Sequence, residues 1–205
     1  MKREPAAGGT RERILEAAVH LFAEKGYHGT SVRELAREVG IKESSLYNHY
    51  AGKEAVLDAI LEYQMEGFRR ALGCLEELEE NAPEFTDPVE LWLAGAGAFI
   101  ALLPPLTEPI GLILHNEMNL DRRCRQFALN ELFRVRKELT ENLLRKLHEQ
   151  GMIRVADFRK TAAQYVHMLH GLEMESRLRR LEGEPEEVLQ QELREQIACF
   201  IERLK

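Results

Sequence analysis

Gly29-Thr30-Ser31-Val32-Arg33-Glu34-Leu35-Ala36-Arg37-Glu38-Val39-Gly40-Ile41, continued by Lys42-Glu43-Ser44-Ser45-Leu46-Tyr47-Asn48-His49-Tyr50, is the stretch that decides the fold. Ser31-x-x-Glu34 is a capping box, in which hydroxyl and carboxylate reciprocally satisfy two backbone donors that a helix start leaves without partners. Val32, Leu35, Ala36 and Val39 then fall on one helical face. Gly40 supplies a tight turn, Ile41 plugs the corner, and Leu46 faces back into a core from a second helix expected over Glu43 to Tyr50. Two short helices joined by a glycine-containing turn, the second presented outward, form a helix-turn-helix.

Outward from this stretch, punctuation by proline and glycine predicts an all-α chain of about nine helical segments, with no sustained β alternation. The first helix spans about Thr10 to Lys25, with Ile14, Ala18, Leu21 and Phe22 on its apolar face and Gly26 as its stop. Gly52-Lys53-Glu54 opens a long fourth helix towards Glu80, and Asn81 to Asp87 reads as a loop. Asp87-Pro88 starts a fifth helix that ends at Pro104-Pro105, and Glu108-Pro109 begins a short sixth. Asp121 caps a seventh reaching Gly151, and Asp157 caps an eighth reaching about Leu181. Gly183-Glu184-Pro185 precedes a ninth. The expected division is a helix-turn-helix head over residues 1–52 and a larger body over residues 53–205.

The order helix, "GYHGTSVRELAREVGIKESSLYNHYAGKEAVL", long helix resembles the TetR/AcrR family of transcriptional regulators, closely over about residues 11–57. Its most specific element is the Leu-Tyr-x-His-Tyr-x-x-Lys-Glu ending, Leu46 to Glu54. The resemblance implies that Ser31 and Arg33 meet phosphate at the start of the second helix. It puts Lys42, Ser44 and Ser45 at the start of the recognition helix, where side chains reach base edges, and Tyr47, His49 and Lys53 on the phosphate backbone. Hydroxyls, ammonium groups and backbone N–H groups at helix starts all donate to phosphate oxygens. Two positions depart from the pattern. Glu43 puts an acid on the recognition helix, where it accepts from a cytosine amino group or points away, and Asn48 stands where the family often has an aromatic residue. Tyr50 is expected in the core, and Lys2, Arg3 and Arg11 read either as an arm along DNA or as a solvated tail.

The charge balance runs against a general nucleic-acid binder. The chain of 205 residues carries a net charge of −7, but residues 1–50 hold eight Lys/Arg against seven Glu, or +1, and the remainder holds −8. A nearly neutral head binds phosphate only through individually placed donors. Apolar residues at 44% allow a substantial core, and the longest uncharged run, Leu91 to Thr107, is broken by proline and short of the roughly 20 residues of a membrane span. Residues 1–9 lack the apolar stretch of a signal peptide, so the expected location is cytoplasmic. Cys74, Cys124 and Cys199 are widely spaced without a CxxC, as expected of reduced thiols.

In the body, Phe158, Ala162, Tyr165, Leu169, Leu172 and Ser176 recur at alternating spacings of four and three, and Leu189, Leu193, Ile197, Phe200 and Leu204 repeat the rhythm in the last helix. Such faces pack on their own core or pair with a symmetry mate as a four-helix bundle. The resemblance favours a homodimer through these last two helices that reads a palindromic operator in double-stranded DNA. The fifth helix is apolar nearly all round from Leu91 to Ile100, which predicts burial on all sides, and its Ala/Gly cluster leaves either close helix packing or an open cavity. The resemblance implies an effector cavity with the candidate lining Tyr63, Phe68, Trp92, Phe99, Leu112, His115, Met118 and Tyr165. A small hydrophobic or aromatic effector suits that wall, a CoA thioester being one form. His167, His170 and Glu173 recur at i+3 steps, which drift around a helix, so no metal site and no cofactor are expected.

Three functions compete: a ligand-responsive regulator, a DNA-binding adaptor whose body holds a partner protein, and an enzyme. The last has no Ser-His-Asp order, no recognisable carboxylate pair and no phosphate-binding glycine loop. The expectation is a regulator, most often a repressor in this family, and not an enzyme.

Overall fold

The computed structural model describes residues 9–80 and 87–205, without the side chains of residues 72–80 and 100. Lys2, Arg3, residues 81–86 of the loop expected over Asn81 to Asp87, and the side chains of Cys74 and Ile100 therefore lie outside the described residues. The described residues contain helices and no strand: α1 Thr10–Lys25, α2 Val32–Val39, α3 Glu43–Tyr47, α4 Lys53–Glu80, α5 Pro88–Leu102, α6 Thr107–Glu117 and α7 Arg122–Phe127. A π-helical stretch Ala128–Val135 leads into α8 Arg136–Glu149, followed by α9 Phe158–Leu181 and α10 Glu186–Glu202. No described helix is long and apolar enough to cross a membrane.

Two compact units form. The first takes residues 1–72 and 102–129, the second 73–101 and 130–205. In the first unit, α1 contributes Ile14, Ala18, Val19, Leu21 and Phe22 to a core shared with Leu35 of α2, Leu46 of α3, Val56, Leu57 and Ile60 of α4, and Ile110, Ile113 and Leu114 of α6. Fully burying one such aliphatic or aromatic side chain stabilises by about 1.5–3 kcal/mol. The head is therefore not free-standing: α1 packs on α6 as well as on α2. Gly67 of α4 lies so near Pro104 that an added Cβ would collide with the proline ring.

The second unit is built on α8, α9 and α10. Its core joins Leu144 and Leu147, Ile153 and Val155, Ala162, Tyr165 and Val166, and Ile197 and Ile201, with Trp92 of α5 stacked edge-on to Tyr165 at 5.0 Å. Arg136 pairs with both carboxylate oxygens of Glu173 at 2.6 and 3.1 Å.

Three expectations are corrected. The recognition helix ends at Tyr47, not Tyr50: the His49 and Tyr50 amides both close on the Leu46 carbonyl, and this tight last turn lets Tyr50 bury. The single seventh helix is interrupted by the π-helical stretch, whose added residues re-aim the side chains: Phe127 packs in the first core, Phe133 against the second, and Leu129 is left exposed. α5 is not buried all round. Trp92 is buried, but Ala94 and Gly97 are exposed, and a Cβ added at Gly95 or Gly97 would meet nothing within 4 Å.

Candidate nucleic-acid interface

Local chemistry builds the head. At the start of α2, the Ser31 hydroxyl accepts from the Glu34 amide at 3.2 Å, and the Ser31 amide donates to the Glu34 carboxylate at 2.9 Å. The Ser31 amide, the Ser31 hydroxyl, which donates to the same carboxylate at 2.9 Å, and the Lys25 ammonium at 3.3 Å hold the Glu34 carboxyl down at about 2. At the other end Gly40 takes φ +77°, and the Gly40 and Ile41 amides close on the Arg37 and Ala36 carbonyls, a Schellman stop. Arg13 reaches across from α1 and donates to the Val39 carbonyl at 2.6 Å. With both ends of α2 satisfied, the turn that orients α3 is rigidly set.

On α3, Leu46 is fully buried, while Glu43, Ser44, Tyr47 and Asn48 face out, Tyr47 with 51% of its surface exposed. Positions 43 and 47, and 44 and 48, are one helical turn apart, so the four make one outward stripe. Tyr50 is 4% exposed; its hydroxyl donates to the Arg11 carbonyl at 3.2 Å and its ring lies 4.7 Å below the Arg11 guanidinium. The two tyrosines, three residues apart, thus have opposite duties. Arg33 and Arg37 on α2 and Glu43 on α3 line an open cleft of about 450 Å³ floored by Ala36 and Ile41.

The expected contact residues are not all equally presented. Arg33, Lys42, Ser44 and Tyr47 are exposed, and Ser45 and His49 half-buried. Ser31 is exposed, but its hydroxyl is also 2.9 Å from the Glu34 carboxylate, so its first duty is the cap. Lys53 turns its ammonium to the Tyr27 and Thr30 carbonyls at 2.7 and 2.9 Å, over the Tyr27 ring at 4.3 Å. It therefore braces the connection between α1 and α2.

That connection is held from a third side by a residue no local spacing reveals. Glu117, the last residue of α6 and 4% exposed, accepts from the Tyr27 amide at 2.9 Å, ninety positions away in sequence. Its second carboxylate oxygen lies 3.8 Å from the His28 imidazole. Arg123 adds a hydrogen bond to the Glu54 carbonyl and ion pairs to Asp58 and Asp121, and its guanidinium on Asp121, with the Arg123 and Cys124 amides, holds the Asp121 carboxyl below its ordinary range.

The candidate effector lining is divided. Tyr63, Phe68, Leu112, His115 and Met118 belong to the first unit; Trp92, Phe99 and Tyr165 belong to the second. Trp92 and Tyr165 are buried core residues there, and burial raises the Tyr165 hydroxyl above its ordinary range. In the first unit, Gln64 Oε1 and His115 Nδ1 are buried with no hydrogen-bond partner among the described residues. Of the three residues weighed as a metal set, Glu173 pairs with Arg136, and His167 and His170 stand edge-on to Phe133 at 6.1 and 5.0 Å.

Comparison with known proteins agrees with this geometry. The family model described as "Bacterial regulatory proteins, tetR family" matches residues 14–60, from α1 into the start of α4. The chain is similar to the HTH-type transcriptional regulator UidR of Escherichia coli (strain K12), 32% identical over 81 residues, 40% of this chain. That match covers only 35% of UidR. The HTH-type transcriptional regulator LmrA of Bacillus subtilis (strain 168) is 30% identical over 149 residues, 68% of this chain and 73% of LmrA. Among solved structures, the TetR family transcriptional regulator PfmR from Thermus thermophilus superimposes with a TM-score of 0.65 at 25% identity, over 93% of this chain and 97% of PfmR. With its outward α3, a head that matches the family model and a relative matched over most of its own length, the chain belongs to the tetR family of bacterial regulatory proteins, helix-turn-helix transcriptional regulators.

Proposed function

We propose that the protein is a ligand-responsive repressor that binds a palindromic operator as a homodimer and leaves it when a small hydrophobic or aromatic effector, a CoA thioester being one form, is bound. The observation that carries this reading is the outward stripe of α3, in which Tyr47 is half exposed and Glu43 reaches the cleft lined by Arg33 and Arg37. In a helix-turn-helix dimer the two recognition helices enter successive major grooves about 34–36 Å apart. Arg33, Lys42, Ser44, Ser45, Tyr47 and His49 supply the contacts, with Ser31 and Lys53 contributing chiefly by fixing the helices that present them. A bacterial regulator of this kind works where the DNA is, in the cytoplasm.

The effector reading draws support from Gln64 and His115, whose buried polar atoms lack partners among the described residues and suit a ligand with one polar group on an apolar body. An effector shifts the equilibrium only by its differential affinity for the DNA-bound and released forms.

The test is fluorescence anisotropy on duplexes tiled across the DNA upstream of the protein's own gene. One palindromic fragment is expected to bind with a steep salt dependence, and binding is expected to fall on adding the effector and in Tyr47→Ala. Equal, weak binding to every fragment sinks the reading.

A further inference from the structure

We infer that Glu43 selects the operator by reading a cytosine, one in each half-site. The inference rests on the operator-binding function proposed above. Glu43 is the first residue of α3, and N-terminal residues of a recognition helix are those that contact base edges. It is exposed and lies in the open cleft with Arg33 and Arg37, yet makes no ion pair among the described residues.

A carboxylate is an acceptor only. In the major groove the donors are the cytosine N4 amino group and the adenine N6 amino group, and every other polar edge atom accepts. Beside adenine N6 stands N7, an acceptor that repels a carboxylate; beside cytosine N4 stands a C–H. Glu43 is therefore matched to cytosine and mismatched to guanine, thymine and, less severely, adenine. Placed against DNA without such a donor, its charge adds repulsion in a head whose first fifty residues carry only +1. Glu34 lines the same cleft, but its carboxylate is taken by Ser31 and Lys25, which leaves the Arg33 and Arg37 guanidinium groups to meet the flanking phosphates and offset the charge of Glu43 at the groove.

The experiment is selection of bound duplexes from a randomised library by the full chain, in parallel with Glu43→Ala and Glu43→Gln, followed by titration of the enriched sites. The wild type is expected to enrich a palindrome with one nearly invariant cytosine per half-site. Replacing that cytosine by another base is expected to weaken binding about 5- to 150-fold, the span of a well-formed base contact. Glu43→Ala should lose that preference and keep the other positions; Glu43→Gln should move it towards adenine, which an amide meets through N6 and N7. An unchanged site in both variants overturns the inference and leaves the operator-binding function standing. So does a Glu43→Ala variant that tightens equally on all sequences, because the acid then acts only as a charge. No enrichment by the wild type overturns both.

Discussion

Tyr47 and Tyr50 show how finely a single residue's role is set. Both occur in one motif, but only Tyr47 keeps an exposed hydroxyl, while Tyr50 spends its own on the Arg11 carbonyl. A hydrogen bond to a charged group is worth about 1.5–3 kcal/mol, so Tyr47→Phe is expected to weaken operator binding about 10-fold or more. Because a surface change of this kind moves stability by only about 0.5 kcal/mol, its melting temperature should stay that of the wild type, and matched anisotropy and thermal melts separate the two effects. Lys53→Ala should behave differently, since its ammonium holds two backbone carbonyls in the first unit; it is expected to lower the melting temperature as well as DNA affinity. A Lys53→Ala protein with an unchanged melt would contradict the bracing role. Glu34 gives the head a defined acid sensitivity. Its carboxyl is held at about 2 against an ordinary 4.5, chiefly by the Ser31 amide and hydroxyl. A depressed folded-state value contributes stability that is complete above 4.5 and drains away as pH falls towards 2. Glu34→Gln should therefore flatten the fall in melting temperature across that window, and parallel curves for the two proteins would contradict the assignment.

At the scale of elements, two glycines of similar appearance in sequence are expected to respond oppositely to alanine. Gly67 in α4 has Pro104 where a Cβ would go, and overpacking of that kind costs about 1–3 kcal/mol. Gly97 in α5 is exposed and has nothing within 4 Å, so alanine should recover the helix propensity that glycine forgoes, about 0.8–1.0 kcal/mol. Chemical denaturation of Gly67→Ala and Gly97→Ala checks both signs, and a stabilised Gly67→Ala would mean that Pro104 yields. The same contrast explains what could be read from the chain beforehand. Helix starts and stops were legible because their signals are local: the Ser31–Glu34 box, Gly26 and Gly40 at positive φ, and Asp121 and Asp157 as caps all act within four residues. The outward placement of Ser44 and Tyr47 came with the family resemblance, since spacing alone leaves Tyr47 equally suited to a core. The π-helical stretch was not legible, because residues 122–150 contain no proline or glycine to mark a change of period. Nor was the tie from Glu117 to Tyr27, whose partners meet only through tertiary packing of α6 on α1. The burial expected for α5 failed for a related reason: hydrophobicity states what a helix prefers to bury, not how much of it one chain covers.

For the whole molecule, the decisive quantity is whether two chains act together. Most of the apolar positions noted in α9 and α10 turn inward: Ala162, Tyr165, Leu189 and Ile197 are buried, and Leu169, Leu193 and Phe200 pack against the same core. What remains outward is a different set near the junction of the two helices. Leu178 and Leu181, one turn apart at the end of α9, are 57% and 74% exposed, and Val188 of α10 is 47% exposed. Leaving such side chains in water forgoes burial worth about 25 cal/mol for each Å² of apolar surface, and a two-fold pairing of α9 and α10 recovers it with self-complementary contacts. The expected consequence is that Leu178→Glu with Leu181→Glu yields a monomer by analytical ultracentrifugation at concentrations where the wild type sediments as a dimer. The monomer should retain its helical signal, since neither leucine is part of the buried core. On a palindromic operator it should lose about 10²-fold or more in affinity, because the second head no longer binds at a high effective concentration, whereas on an isolated half-site the two proteins should bind alike. A variant that still sediments as a dimer would place the interface on another surface. A monomer that kept full palindrome affinity would show that the two heads bind independently, and the dimer would then have no part in operator recognition.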